Sequence, residues 1–459
     1  MKLAVLGGGG VRAPFLIKTL AINARSLEID EICLMDINEK KLNIFGQIAV
    51  EIGNRIDSDL NIYTTTDKVK ALKDTDFIIT TLRVGGDEGR YFDEKLAQKY
   101  DVLGQETTGV GGFAMSLRSI PALKEYLDLA KKISKPDVKV FNFTNPSGLV
   151  TQALINDGYT NIYGICDGPT SFVRQLAEMM NTDVKNFNAT CYGLNHLSFY
   201  RDFKINGQDV TKEVLENANL FKDTEMKVFD EEIVPLLDDE LPNEYLYFFF
   251  YNNNVIESIK KTGFARGELI KNINNKMINE LEPILDESLE NRFAVYIKHL
   301  MERENSYFAI ESNGKRNNHY EEVSLQDFLD APDKGGYAGV ALNIIRGLQG
   351  KDAIPMTILV QNKGYIKELE DDDIIEITCD MKNGEIRPRS VDNIPQVQMN
   401  YIHTIKLFER LTVDAIKEKN KEKAIKALMV HPLINSYSRA NSLLEDLLNE
   451  YKEYTGEWK

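Results

Sequence analysis

Cysteine is scarce in this 459-residue chain, tryptophan occurs once, and basic residues are outnumbered by acidic ones. The four cysteines, Cys33, Cys166, Cys191 and Cys379, are too few and too scattered for a disulfide framework, which points to a reducing compartment. Against 71 Asp and Glu stand only 55 Lys and Arg, a formal charge of −16. Such a chain lacks the basic face that phosphate-backbone binding needs, so no nucleic-acid partner is expected. A small phosphorylated ligand needs only two or three well-placed cations. No stretch approaches the roughly 18 consecutive apolar residues of a membrane span. The opening MKLAVLGGGG is a short apolar run stopped by glycines, without the longer apolar core and small-residue cleavage site of a signal peptide. A soluble, cytoplasmic protein with no membrane partner is expected.

What is present is ordinary globular material. Hydrophobic residues make up 43% and charged residues 27%, which argues against long disorder. The length suits two or three domains, or one large core with an elaborated second lobe. The first third alternates short β-branched runs with helical patterns, the mark of a parallel sheet covered by helices. Strands are predicted at 2–7, 31–36, 76–81, 138–143, 161–166 and 187–195, with helices at 14–23, 39–52 and 117–134 among them. Beyond about residue 190 the pattern changes. Helices are expected at 213–220, 277–287 and 337–347, strands at 356–360 and 374–379, and a helical tail over 397–454 broken at His431-Pro432. The expected class is α/β: a Rossmann-like doubly wound domain over 1–190, then a mixed, α-rich second domain over 191–459.

Gly7, Gly8, Gly9 and Gly10 follow the first strand and precede a helix, the context of a dinucleotide-binding turn. Glycines let the backbone approach a pyrophosphate, and the helix N-terminus offers free N–H groups and a positive dipole end. The spacing is imperfect: counted from Gly7 the third position is Arg12, and counted from Gly8 it is Ala13, which the pattern tolerates. Asp36, ending the second strand, is placed for the ribose hydroxyls, and its charge favours NAD over NADP.

Polar and glycine-rich loops follow five successive strands: 83–90, 104–112, 142–148, 166–169 and 193–196. Each alone is plain turn chemistry. Together they imply one cleft at the carboxyl edge of the sheet. Cys166 and His196 are chemically suited to a metal, but their spacing forms no zinc pattern, and a lone Cys or His at a strand end is more often simply packed. The residues by themselves point to a dinucleotide-dependent enzyme with a polar cleft.

These loops resemble the family-4 glycoside hydrolases, NAD- and divalent-metal-dependent enzymes that depart from two-carboxylate glycosidase chemistry. The resemblance runs from Gly7 to the C-terminal helices. It rests on GQETTGVGG (104–112), NFTNPSG (142–148), CDGP (166–169), GLNHLSF (193–199), LPNEYL (241–246) and FARGE (264–268). Within the family these motifs are most similar to the 6-phospho-β-glucosidases.

The resemblance implies hydrolysis by an oxidative detour. NAD+ takes hydride from sugar C3, a base removes the acidified C2 proton, the aglycone leaves from C1, water adds, and NADH returns the hydride. Cys166 and His196 match the family's Mn2+ ligands, with substrate oxygens completing the shell. Tyr245 matches the C2 base, although a phenol near pKa 10 needs a neighbouring cation, and by periodicity alone it reads as an aromatic core position. Arg90 and Arg266 match positions that bind the 6-phosphate, and Arg83 shares a loop with Arg90. Asn145 is assigned to the cofactor and the substrate, and Asn195, beside a metal ligand, to the substrate.

Asp167 leaves the anomeric preference open. Family members acting on β-glucosides commonly carry Asn there, and α-acting members often carry Asp in Cys-Asp-Met-Pro, whose carboxyl protonates the leaving group. Here the tetrapeptide is Cys-Asp-Gly-Pro, so Asp167 is either a general acid or a group that orients a hydroxyl or water. The expected activity is that of a 6-phospho-β-glucosidase on a 6-phosphorylated disaccharide or glucoside. Alternatives are the α-acting enzyme of the same family, an NAD-dependent 2-hydroxy-acid dehydrogenase, and a nucleotide sensor. A homodimer or homotetramer is implied by the resemblance alone.

Overall fold

The computed structural model describes all 459 residues. Seven strands come from the first 164 residues: β1 (Lys2–Leu6), β2 (Glu31–Met35), β3 (Asn61–Thr65), β4 (Phe77–Thr80), the two-residue β5 (Gly104–Gln105), β6 (Lys139–Asn142) and β7 (Ile162–Gly164). All but β5 pair in parallel in the order β3-β2-β1-β4-β6-β7, the doubly wound arrangement expected. Alternate residues divide between two cores as the pleat requires. Val5, Leu34 and Ile79 join one, and Leu6, Cys33 and Ile78 the other. Strand β3 escaped the sequence reading because NIYTT lies at the sheet edge and is only partly buried, so it carries little apolar signal.

The later strands are β8 (Phe187–Leu194), β9 (Leu197–Ile205), β10 (Gln208–Asp209), β11 (Leu241–Pro242), β12 (Met356–Gln361), β13 (Ile374–Lys382) and β14 (Glu385–Pro388). Strand β12 joins β7 antiparallel at Leu359 and Gly164, and β13, β8 and β9 follow, each antiparallel to its neighbour. One 13-stranded sheet therefore runs through both halves of the chain.

Helix Ala13–Ala24 begins directly after the glycine turn, with Pro14 in its first turn, where a missing N–H costs nothing. Helix Gly109–Ile133 starts eight residues before the predicted one. The glycines read as loop form its first turn because the preceding segment folds back onto them. A Cβ on Gly111 would sit 2.1 Å from the carbonyl oxygen of Gln105, and one on Gly112 would sit 2.5 Å from that of Thr107. The expected helix at 213–220 is instead two short ones, Thr211–Leu215 and Leu220–Asp223. The side chain of Asn217 accepts from the Asn219 N–H in the turn between them. The one expected at 277–287 runs Arg266–Leu281 and ends ahead of Pro283. Helix Leu289–Asn305 was not anticipated, and the tail forms three main helices over 396–450, interrupted at Lys419 and His431-Pro432. No helix is long and apolar enough to cross a membrane. All four cysteines are free and buried.

Candidate active site

A cleft of about 1210 Å³ opens outside the carboxyl ends of β1, β4, β6 and β7. Gly7 to Gly10 form its floor. Gly7 has φ +94°, and a Cβ there would lie 2.5 Å from the Thr81 carbonyl oxygen, so only glycine fits. The Gly9 N–H donates to Asp36 Oδ2 at 3.1 Å, and the Asn38 N–H donates to Oδ1 at 2.9 Å. The turn and the acidic end of β2 thus hold each other in place at one end of the cleft. Arg12 also lines the cleft, where one of its guanidinium nitrogens donates to both oxygens of Glu304 at 2.8 and 2.9 Å.

Cys166 follows β7, and His196 sits at the tip of the hairpin joining β8 to β9. His196 has φ +64°, a left-handed conformation that costs a non-glycine residue roughly 1 kcal/mol or more and therefore needs a compensating role. The conformation delivers the imidazole to the cleft, with Nε2 3.7 Å from Cys166 Sγ and Nδ1 2.9 Å from the Thr107 hydroxyl. Burial pushes the His196 pKa down to about 4, so the ring is neutral. Burial also pushes the Cys166 thiol well up, with Glu376 and Asp167 adding to the effect. A thiolate at this position therefore calls for a cation. A soft sulfur and a neutral imidazole facing one point suit a divalent transition metal. No third His, Cys, Asp or Glu joins them, which leaves coordination positions for substrate oxygens.

Tyr245 stacks on His196, ring centroids 3.7 Å apart. Its hydroxyl lies 3.1 Å from that of Tyr307, which donates to Glu244 at 2.6 Å; Glu244 also pairs with Arg316. Burial pushes the Tyr245 phenol well above its ordinary value, and Glu244 pushes the same way. Only an added positive charge would make it a base. Asp167 reaches the cleft at the start of helix Gly168–Met179 and makes no capping bond. Burial raises its carboxyl pKa, with Arg12 opposing. Asn145 lines the cleft beside Phe143. Asn195 lies on the other side of the hairpin tip, in a small neighbouring cavity, and donates to Glu376 at 3.0 Å.

The three sequence-predicted arginines occupy different positions. Arg83 and Arg266 line the cleft, whereas Arg90 is buried behind it, paired with Glu94 at 2.8 Å and Glu106 at 2.9 Å. Glu106 also takes Arg83 at 2.6 Å. Burial opposes its ionisation, but Arg83, Arg90 and Arg266 outweigh that and hold the carboxyl well below the usual range. Arg266 keeps a buried Nε without a partner, as does Arg303, a cleft residue the sequence reading did not single out. Burial lowers the Arg303 pKa to about 10. Two guanidinium groups with unused donors at one wall suit an anion. Arg303 lies near the end of the unanticipated helix Leu289–Asn305, where a charged residue normally reads as a solvated face; nothing local marks it.

Comparisons with known proteins place the whole chain within one family. The model described as Family 4 glycosyl hydrolase matches residues 2–182, and that of the Family 4 glycosyl hydrolase C-terminal domain matches 191–434. A 6-phospho-beta-glucosidase of Thermotoga maritima is 31% identical over 459 residues, covering 99% of each chain. A phospho-alpha-glucosidase of Clostridium acetobutylicum is 25% identical over 477 residues, again covering 99% of each. The solved structure of the Thermotoga maritima 6-phospho-beta glucosidase with manganese, NAD+ and glucose-6-phosphate matches with a TM-score of 0.81 at 29% identity, over 99% of both chains.

Proposed function

The chain belongs to family 4 of the glycosyl hydrolases, and from that membership we propose that it is a 6-phospho-β-glucosidase dependent on NAD and a divalent cation such as Mn2+. Membership sets aside the 2-hydroxy-acid dehydrogenase and the nucleotide sensor. The higher identity to the β-acting relative supports the β anomer, and Asp167 supports the α anomer as the second reading.

The observation that carries the reading is one cluster: Cys166 Sγ 3.7 Å from His196 Nε2, with Tyr245 stacked on the same imidazole, in a cleft that begins at the glycine turn. When bound, NAD supplies reversible oxidation at the sugar and the cation supplies polarisation of its oxygens. Gly7 to Gly10 cradle the pyrophosphate, and Asp36 receives the ribose hydroxyls. Tyr245 takes the proton beside the oxidised carbon. Arg83, Arg266 and Arg303 hold the 6-phosphate, with Arg90 acting from behind through Glu106. Asn145 orients cofactor and substrate, and Asn195 braces the metal-ligand hairpin. Asp167 protonates the leaving group or orients the incoming water. The reading includes a cytoplasmic homodimer or homotetramer, whose subunit count sedimentation equilibrium would read.

Chromogenic 6-phospho-β- and 6-phospho-α-glucosides, incubated with NAD+, Mn2+ and a reductant, test it. Cleavage of the β compound, with deuterium entering C2 of the product in D2O, is expected. Release of neither chromophore by folded protein would overturn the reading, and release from the α compound alone would reverse the anomer.

A further inference from the structure

The segment Gly104 to Gly112 contributes more than a loop against the cleft. Gln105 Oε1 accepts two hydrogen bonds from Thr107, one from the backbone N–H at 2.7 Å and one from the hydroxyl at 2.9 Å. The backbone N–H can only donate, so the amide atom facing it is the oxygen. That oxygen can only accept, so the single hydroxyl proton of Thr107 is committed to Gln105. The Thr107 oxygen therefore meets His196 Nδ1, 2.9 Å away, as an acceptor, and Nδ1 must carry the imidazole proton. The other nitrogen, Nε2, is then bare, and it is the one facing Cys166 Sγ.

We propose that Gln105 and Thr107 are positioning residues that lock His196 in its Nδ1–H tautomer and so present a ready Nε2 lone pair to a divalent cation. A histidine free to choose its tautomer would lose part of its affinity to the wrong form. Here a two-bond relay behind the ring, buried at Thr107 and partly buried at Gln105, removes the choice before the cation arrives. The glycines of the segment serve the relay. Gly111 and Gly112 let the helix start lie against the carbonyls of Gln105 and Thr107, at distances where any side chain would collide.

The inference rests on Cys166 and His196 being the cation's ligands, and the experiment separates the two ideas. Selective 15N-histidine labelling of the metal-free chain, with the His196 signals assigned by their loss in His196→Gln, reads the tautomer directly. The Nδ1–H form is expected, and an Nε2–H form would overturn the proposal whatever the metal does. Titration with Co2+ reads the metal through its thiolate charge-transfer band and its Kd. Absence of that band in the parent chain would reject the ligand assignment and leave the tautomer result standing.

Thr107→Val should populate the Nε2–H form and weaken Co2+ binding about 10- to 100-fold, while Thr107→Ser stays close to the parent. Gln105→Leu keeps the Thr107 oxygen but frees its proton to turn toward Nδ1, so it should shift the tautomer in the same direction. NAD+ affinity, read by fluorescence, should hold in all three and reports that the fold is intact. Unchanged tautomer and Co2+ affinity in both Thr107→Val and Gln105→Leu would overturn the proposal.

Discussion

The phenol ring of Tyr245 lies flat on the imidazole of His196, with 3.7 Å between centroids and 4° between planes. The group assigned to take a proton and the group assigned to hold the cation are thus one stacked unit, His196 from the hairpin tip and Tyr245 from the helical turn Glu244–Leu246. Whatever fixes the imidazole also fixes the phenol.

Tyr245→Phe keeps that stack and removes only the hydroxyl. The expected result is a fall in kcat of roughly 10²- to 10⁴-fold, with an equal loss of deuterium entry at C2 in D2O. NAD+ and Co2+ affinities should not change. Undiminished exchange at C2 would transfer the role of base to another group.

Arg266 carries a buried Nε without a partner beside the cleft. Removing it in Arg266→Ala should lower kcat/KM for a 6-phosphorylated glucoside about 100-fold, the value of a charge-assisted hydrogen bond or two. Arg266→Lys should recover only part, because a point charge cannot reproduce the guanidinium fork. Steady-state kinetics with free 6-phosphosugar as competitor checks the assignment, and an unaltered inhibition constant would place the phosphate elsewhere.

Asp36 braces the Gly9 N–H and lines the cleft beside the glycine turn, where the proposed reading gives it the cofactor's ribose. Asp36→Asn keeps an acceptor for Gly9 and discards the charge. NAD+ should bind about tenfold more weakly while NADP+ gains, narrowing the preference from both sides. Equal losses for both cofactors would mean that the residue serves the turn alone.

His431 is buried with its ring edge-on to Phe408, and its Nδ1 accepts from the Leu433 N–H at 3.2 Å. Burial pushes its pKa down to about 3, against about 6.5 in an unfolded chain. The native state therefore keeps the ring neutral while the unfolded state protonates it. Its contribution to stability is full above pH 6.5 and is lost as pH falls toward 3. His431→Asn retains an acceptor for Leu433 and removes the titration. Between pH 6 and 4 the variant should lose stability less steeply than the parent, by up to about 1.4 kcal/mol per pH unit. Urea unfolding at stepped pH measures the slope, and parallel slopes would show that His431 does not carry that proton.

The inner strands of the parallel half were legible because they are almost wholly buried and announce themselves locally, as KLAVL and FIIT do. Strand β3 and helix Leu289–Asn305 were not, since one lies at an edge and the other alternates charge with apolar residues like any surface helix. The glycine turn and Asp36 declared themselves through position after a strand. Arg303 and Glu376 did not, because their roles come from neighbours 29 to 181 residues distant in sequence, Asn274 and Asn195. Thr107 lay inside a quoted motif, yet nothing in the motif says that its hydroxyl faces a histidine 89 residues later. Segment periodicity reports burial; it does not report who meets whom.

Strand order also bears on how the molecule is made. β7 and β8 are neighbours in sequence but not in the sheet, where β12 and β13 stand between them. During synthesis the facing edges of β7 and β8 emerge early without their strand partners, which come only when residues 356–382 leave the ribosome. Open strand edges invite pairing with other chains. The nascent protein should therefore depend on chaperone shielding until its last quarter arrives, and truncation ahead of β12 should yield aggregate rather than a free-standing nucleotide-binding half.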